Sequence, residues 1–167
     1  MGKSVTSKLS RIQEPVAPAG KGIGTKARTV TARSGLPLSA LPQLSSIELV
    51  EQSRRGVSFE LFEELSRLLS FTISEWAQIL QLSERTLQRQ QKDQKTFSAP
   101  QSERLLELSL LIHFGTQVFG DTARLLQWLN LPCRALENRK PKELLDSRFG
   151  IVLIQEELGR IEHGILA

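Results

Sequence analysis

Arg85, Arg89 and Lys92 lie four and three residues apart, with Glu84 and Gln88 among them and Ser83 and Thr86 opening the run. On a helix these side chains face outward over two turns. The guanidinium groups of Arg85 and Arg89 suit phosphate oxygens or bidentate pairing with guanine, and Lys92 and Lys95 extend the cationic run along a phosphate backbone. Glu84 is discordant, because phosphate repels a carboxylate unless it accepts from a cytosine amino group or a neighbouring arginine. The chemistry implied is contact with the base edges and phosphates of DNA.

A helix that reads a groove must be held by a second one, and residues 72–92 supply both. Thr72 and Glu75 make a T-x-x-E capping box that opens a first helix with Trp76, Ala77 and Leu80 at helical spacing. A tight turn follows at Gln81 and Leu82, and Ser83 caps a second helix that buries Leu87. Ala77 is the small residue needed where the two helices approach, and Leu80, Leu82 and Leu87 are the apolar anchors of a helix-turn-helix. Two positions depart from the pattern. Gln81 stands where glycine is favoured for a left-handed backbone, and Gln90 stands where a further apolar anchor is common. The alternative is an ordinary helical hairpin with a solvated second helix.

Catalysis has no comparable support. The two histidines, His113 and His163, have no ligand spacing or nearby nucleophile, and there is no glycine-rich phosphate loop. Without an H-x-x-x-H or paired-cysteine pattern, neither a metal nor another cofactor is expected. The lone Cys133 excludes an internal disulfide and reads as a small buried or half-buried hydrophobe. The expectation is a binding protein, not an enzyme.

The 167 residues, 40% hydrophobic, suffice for one or two small domains with a real core. The net charge of +4 is uneven: residues 1–43 carry seven basic groups against Glu14 alone, and the remainder is slightly acidic. That segment also holds four prolines and five glycines and reads as a flexible basic arm, either drawn to DNA phosphates or merely solubilising. No signal peptide or membrane-length apolar run occurs, so a cytoplasmic location without membrane attachment is expected.

Beyond residue 44 the i, i+3, i+4 pattern recurs and strand alternation does not, which predicts an all-α fold. One helix starts at Ser45 or Ser46 and ends before Gly56. Another is capped by Ser58 and buries Leu61, Phe62, Leu65, Leu68 and Leu69. With the helix-turn-helix these make a DNA-binding domain over residues 44–97. Ser98 and Gln101 form a second capping box, opening a helix to Phe119 that is apolar nearly all round. Such a helix needs cover on several sides, by its own domain and by a second subunit, so a homodimer is expected; half-site reading makes the same demand. A helix over 121–130, a short one after Pro141, and a last one over 146–162 follow. The last is capped by Asp146 or Ser147, with a core stripe of Gly150, Leu153, Ile154, Leu158 and Ile161. Gly150 inside a helix implies close contact with a neighbouring backbone. The apolar ending at residues 159–167 is either a strap packed on its own domain or a tail that enters a partner.

The segment from residue 98 onward resembles the Xre/MbcA/ParS antitoxins of type II toxin-antitoxin systems. The resemblance rests on SERLL at 102–106, VFGD at 118–121, WL at 128–129, RAL at 134–136, PKELLDS at 141–147, and GRIEHG at 159–164 with Ala167 at the close, together with SERTLQR at 83–89. It implies a Cro/Xre-like helix-turn-helix domain followed by a toxin-binding and dimerisation domain over 98–167. It also implies a RES-domain toxin as partner, whose NAD-consuming active site the C-terminal region blocks, and repression of the protein's own operator DNA. By the same resemblance Gly159, Arg160, Glu162, His163, Gly164 and Ala167 are the toxin-contacting residues. Arg160 is foremost among them, although Glu156 or Glu157 could engage it within its own helix. The chain departs from the family at Cys133, usually Asn, at Glu137 and Asn138, usually glycines, and at Lys140, usually Thr. The competing reading is a stand-alone dimeric helix-turn-helix regulator without a toxin.

Overall fold

The computed structural model describes residues 36–164, and over these the chain is helical, with one isolated bridge, between Cys133 and Arg139, as its only extended pairing. Seven α-helices follow one another: α1 Ser46–Arg55, α2 Phe59–Leu69, α3 Ile73–Ile79, α4 Glu84–Asp93, α5 Ala99–Phe119, α6 Thr122–Leu129 and α7 Arg148–Glu162. Three 3-10 segments, Leu38–Gln43, Arg134–Leu136 and Pro141–Leu144, complete the order.

Local side chains set most boundaries. Both expected capping boxes form, Thr72 with Glu75 and Ser98 with Gln101, and a third joins Ser45 to Glu48. In the Thr72 box the Thr72 amide donates to Glu75 Oε2 at 2.7 Å and the Glu75 amide to Thr72 Oγ1 at 3.2 Å, so two orphan donors of a helix start are satisfied at once. Ser147, not Asp146, caps α7, its Oγ accepting from the Gly150 amide at 3.0 Å. Ser58 occupies the cap position of α2 without a side-chain cap bond.

Behind α3 and α4 lies an aromatic cluster. Phe62 meets Trp76 edge-on at 5.0 Å, Phe59 stacks on Phe97 at 5.8 Å, and Phe71 tilts against Trp76 at 5.4 Å. Such contacts add about 0.5–1.5 kcal/mol each beyond area burial and fix the plane on which the helix-turn-helix sits. The first half of α5 closes this core: buried Ser102 accepts from the Val57 amide at 2.8 Å and donates to the Phe97 carbonyl. The expected boundary between residues 97 and 98 therefore cuts through shared packing.

Three further expectations are corrected. The arm was expected to extend to residue 43; residues 1–35 lie outside the described residues, but Leu38–Gln43 is a 3-10 helix with Leu41 buried, and Leu36, Leu38 and Leu44 pack on the core. Their apolar spacing outweighs the prolines around them. The apolar circumference of α5 is covered within the chain, by α1, α6, α7 and Leu38–Gln43, so α5 itself does not demand a second subunit. Leu153 belongs to the outer face of α7 at 45% exposure, and the inner stripe is Gly150, Ile151, Ile154 and Leu158. The expectation for Gly150 holds: a Cβ there would stand 1.9 Å from the Leu144 carbonyl oxygen.

Candidate functional site

The turn between α3 and α4 is as tight as the sequence requires. Gln81 adopts φ 54°, the left-handed conformation for which glycine is favoured, and the Leu82 amide donates to the Ala77 carbonyl at 2.8 Å. Leu80 and Leu87 are fully buried and Leu82 half-buried, so all three leucine anchors face the core. Gln90, at the fourth anchor position, is half-buried.

Of the residues expected to meet DNA, Ser83 and Thr86 are committed to the helix start: Ser83 Oγ accepts from the Thr86 amide at 3.1 Å and lies 2.8 Å from Thr86 Oγ1. Glu84, Arg85, Gln88, Arg89 and Lys92 are exposed. Arg85, Gln88, Arg89 and Lys92 share one face at i, i+3, i+4 and i+7, and among the described residues none of the three cations has an intramolecular ion pair. Lys95 differs, being paired with Asp93 at 3.0 Å. The α4 face is thus a row of uncommitted cations and an amide, backed by a rigid aromatic core.

A second surface lies on α7. Phe149, Val152 and Leu153 recur at i, i+3 and i+4 and are exposed, Phe149 to 86%. The stripe continues at helical spacing through Glu156 to Gly159 and Arg160, about 16 Å along the axis. The sequence reading missed this stripe because it assigned Leu153 to the core; the spacing of Phe149 with Val152 was the available signal. Arg160 Nε pairs with Glu157 Oε2 at 2.7 Å, and Glu157 is buried, its other oxygen accepting from the Cys133 thiol at 3.9 Å. Of the two glutamates that could engage Arg160, Glu157 does so. Held through Nε, the guanidinium leaves its terminal nitrogens free for further donation. Glu162, His163 and Gly164 are exposed at the helix end, where Gly164 has φ 70°, and Ala167 lies outside the described residues.

Between the two surfaces, Lys142 in Pro141–Leu144 reaches α3. Its Nζ is 2.7 Å from Glu75 Oε1 and 4.7 Å from the centre of the Phe71 ring. Burial pushes the Glu75 carboxyl up, but the Lys142 ammonium and the donors of Thr72 outweigh it and hold the group below its ordinary range. Neither residue was singled out as a pair in the sequence, since they are far apart along the chain.

The loop before Lys142 turns through two consecutive left-handed residues, Glu137 at φ 57° and Asn138 at φ 60°. These are the two positions at which the motif resemblance leads one to expect glycine. Lys140, where the same resemblance leads one to expect Thr, precedes the 3-10 turn without a side-chain cap bond. Among the described residues no group of three or more His, Cys, Asp or Glu could hold a metal ion, and no helix is long and apolar enough to cross a membrane.

Two family models match the chain. Residues 48–109 match the antitoxin Xre-like helix-turn-helix domain, and residues 115–164 match the antitoxin Xre/MbcA/ParS C-terminal toxin-binding domain. The chain belongs to the Xre/MbcA/ParS antitoxin family. Among its relatives are the antitoxins Xre of Yersinia enterocolitica, 25% identical over 86% of this chain and 94% of that protein, and of Photorhabdus laumondii, 25% identical over 80% and 87%. A chain in the crystal structure of the M. tuberculosis MbcT-MbcA toxin-antitoxin complex is similar over 74% of this chain and all of its own, with 19% identity and a TM-score of 0.47. The antitoxin is therefore a non-enzymatic binding protein in which α4 belongs to the helix-turn-helix and α7 to the toxin-binding domain. The helix-turn-helix match extends into the first half of α5, where Ser102 closes the aromatic core.

Proposed function

We propose that this antitoxin neutralises a RES-domain toxin by seating the outer face and C-terminal end of α7 at the toxin's NAD-consuming active site, and that it represses its own operon through α4. The observation that carries the toxin half is the exposed stripe Phe149, Val152 and Leu153, which leads to Arg160 within the toxin-binding domain. A helix of a soluble domain ordinarily turns such residues inward, and a contiguous exposed set marks an interaction surface. The identity of the toxin as a RES protein rests on the motif resemblance from residue 98 onward. Gly159, Arg160, Glu162, His163, Gly164 and Ala167 are the proposed contacts at its active site. Operator reading is assigned to Ser83, Glu84, Arg85, Thr86, Gln88, Arg89 and Lys92, the two hydroxyls acting through the helix cap. Because one recognition helix spans too few base pairs for specificity, repression is assigned to a homodimer.

Removal of residues 159–167 tests the reading. Loss of protection against the toxin encoded beside the antitoxin, with unchanged operator binding, is the expected result. Unchanged protection, or no adjacent RES-domain reading frame, would return the protein to a stand-alone regulator.

A further inference from the structure

We propose that Glu157 is a positioning residue for the toxin contact: its buried carboxylate fixes the Arg160 guanidinium in the pose that meets the toxin, and Cys133 steadies the carboxylate from behind. The inference rests on the reading of Arg160 as a toxin contact and deepens it. Glu157 is 6% exposed, and among the described residues no other charged residue is buried. It stands on the inner face of α7 with Ile154 and Leu158, both fully buried. Stability does not account for a carboxylate there. Desolvation offsets the attraction of an ion pair taken out of water, so an apolar residue of similar size would hold the helix at least as well. The charge has to do something that packing alone does not.

The geometry points to Arg160. Glu157 Oε2 accepts from Arg160 Nε at 2.7 Å, while its Oε1 accepts from the Cys133 thiol at 3.9 Å. Cys133 is itself held, because its amide donates to the Arg139 carbonyl at 3.0 Å and its carbonyl accepts from the Asn138 amide at 2.9 Å. The carboxylate is therefore fixed from the loop on one side and grips the arginine on the other. The Arg160 side chain is still 40% exposed, and its terminal nitrogens make no hydrogen bond within the described residues. An arginine is rich in rotamers, and ordering such a side chain on binding weakens affinity by up to about tenfold unless it is ordered beforehand. Glu157 supplies that order before the toxin arrives. Without it, exposed Glu156 stands four residues before Arg160, at the spacing of a surface ion pair that would commit the guanidinium to its own helix.

The test uses the full chain and the purified toxin encoded beside it. Glu157→Gln keeps the shape of the side chain and removes the charge that grips Nε. The expected result is toxin affinity lowered by up to about tenfold, with operator binding unchanged. In an Arg160→Lys background, where the gripped Nε is absent, Glu157→Gln should cause no further loss. An equal loss in both backgrounds would make Glu157 a structural residue and overturn the proposal. Unchanged affinity in Glu157→Gln alone overturns it while leaving Arg160 as a contact. Parent-like affinity in Arg160→Lys alone removes Arg160 from the contact and overturns both. A second measurement needs no toxin: the Arg160 Nε–H heteronuclear NOE of the free antitoxin should report a rigid group in the parent and a mobile one in Glu157→Gln. Equal mobility in the two would overturn the positioning role even if the variant binds toxin poorly.

Discussion

Glu75 and Lys142 meet at 2.7 Å, so the carboxylate that closes the capping box of α3 also anchors the turn leading into α7. One carboxyl group thus joins the first helix of the helix-turn-helix to the toxin-binding domain. The Lys142 side chain is only 21% exposed and its ammonium lies over the Phe71 ring, which is part of the aromatic cluster behind α3. Lys142→Met keeps the stem and removes the charge, and it is expected to lower stability by about 1 kcal/mol in thermal unfolding. The pH dependence has a definite sign. Because the folded-state carboxyl of Glu75 titrates below its ordinary value of 4.5, its contribution is fully present above that value and fades as the pH falls through the depressed one. Glu75→Gln should therefore be less stable than the parent at neutral pH, with the gap closing on acidification. A gap independent of pH would show that the amide loses packing and not charge.

Gly150 and Gly159 lie on the same helix with opposite surroundings. A methyl group at Gly150 would collide with the backbone of Leu144, while at Gly159 it would meet nothing within 4 Å. Gly150→Ala must push α7 away from the Pro141–Leu144 turn, and a loss of about 3 kcal/mol is expected. Gly159→Ala removes the backbone entropy of glycine without a clash and should gain up to about 1 kcal/mol. If Gly159 admits a closely approaching toxin backbone, the same variant protects less well. A more stable protein with undiminished neutralisation would remove Gly159 from the contact surface.

The contrast between these glycines also shows what the sequence carries. Capping boxes, the Ala77–Leu82 turn and the close approach at Gly150 are local, decided by residues within a few positions of one another, and they were legible. Leu153 was misplaced because α7 has apolar residues on two faces, and periodicity alone does not tell the face packed on α5 from the face left bare. The i, i+3 pair of Glu157 with Arg160 was legible for the same reason, whereas Lys142 with Glu75, and Glu157 with Cys133, join residues through tertiary packing. Charged side chains in an unaligned sequence read as solvated until that packing brings them together. The 3-10 turn at Leu38–Gln43 was hidden by its prolines, whose breaking signal is local while the burial of Leu41 is not.

Glu137 and Asn138 hold left-handed conformations without glycine. The hydrogen bonds that close the loop, from the Asn138 amide to the Cys133 carbonyl at 2.9 Å and from the Cys133 amide to the Arg139 carbonyl at 3.0 Å, fix the backbone regardless of side chain. Glu137→Gly should raise stability by up to about 1 kcal/mol, since it relieves the steric penalty of a Cβ at positive φ. Asn138→Gly gains less, because asparagine tolerates this region. Denaturant midpoints of the two variants measure the difference; equal gains would mean that side-chain contacts and not backbone strain set the loop's energy.

The cations of α4 give a prediction that requires no knowledge of the operator. Arg85→Ala with Arg89→Ala removes two exposed charges and disturbs neither Leu87 nor the Ser83 cap. Each phosphate contact contributes about 0.9 to the slope of log affinity against log salt concentration. The double variant should flatten that slope by up to about two on duplex DNA of arbitrary sequence. An unchanged slope would show that neither arginine touches phosphate.

Arg160 requires more care than an alanine substitution allows. Its Nε neutralises Glu157, a carboxylate buried beside Cys133, and alanine would strand that charge. Leaving a buried charge without its partner costs about 3 kcal/mol or more when burial is complete, so lost activity in Arg160→Ala would report unfolding as readily as lost contact. Arg160→Lys keeps a cation near Glu157 while removing the planar fork whose terminal nitrogens would engage the toxin. The expected outcome is a melting temperature close to that of the parent together with weakened neutralisation. Full neutralisation by the lysine variant would make the residue a positioning charge for α7, and the contact would then rest on Phe149, Val152 and Leu153.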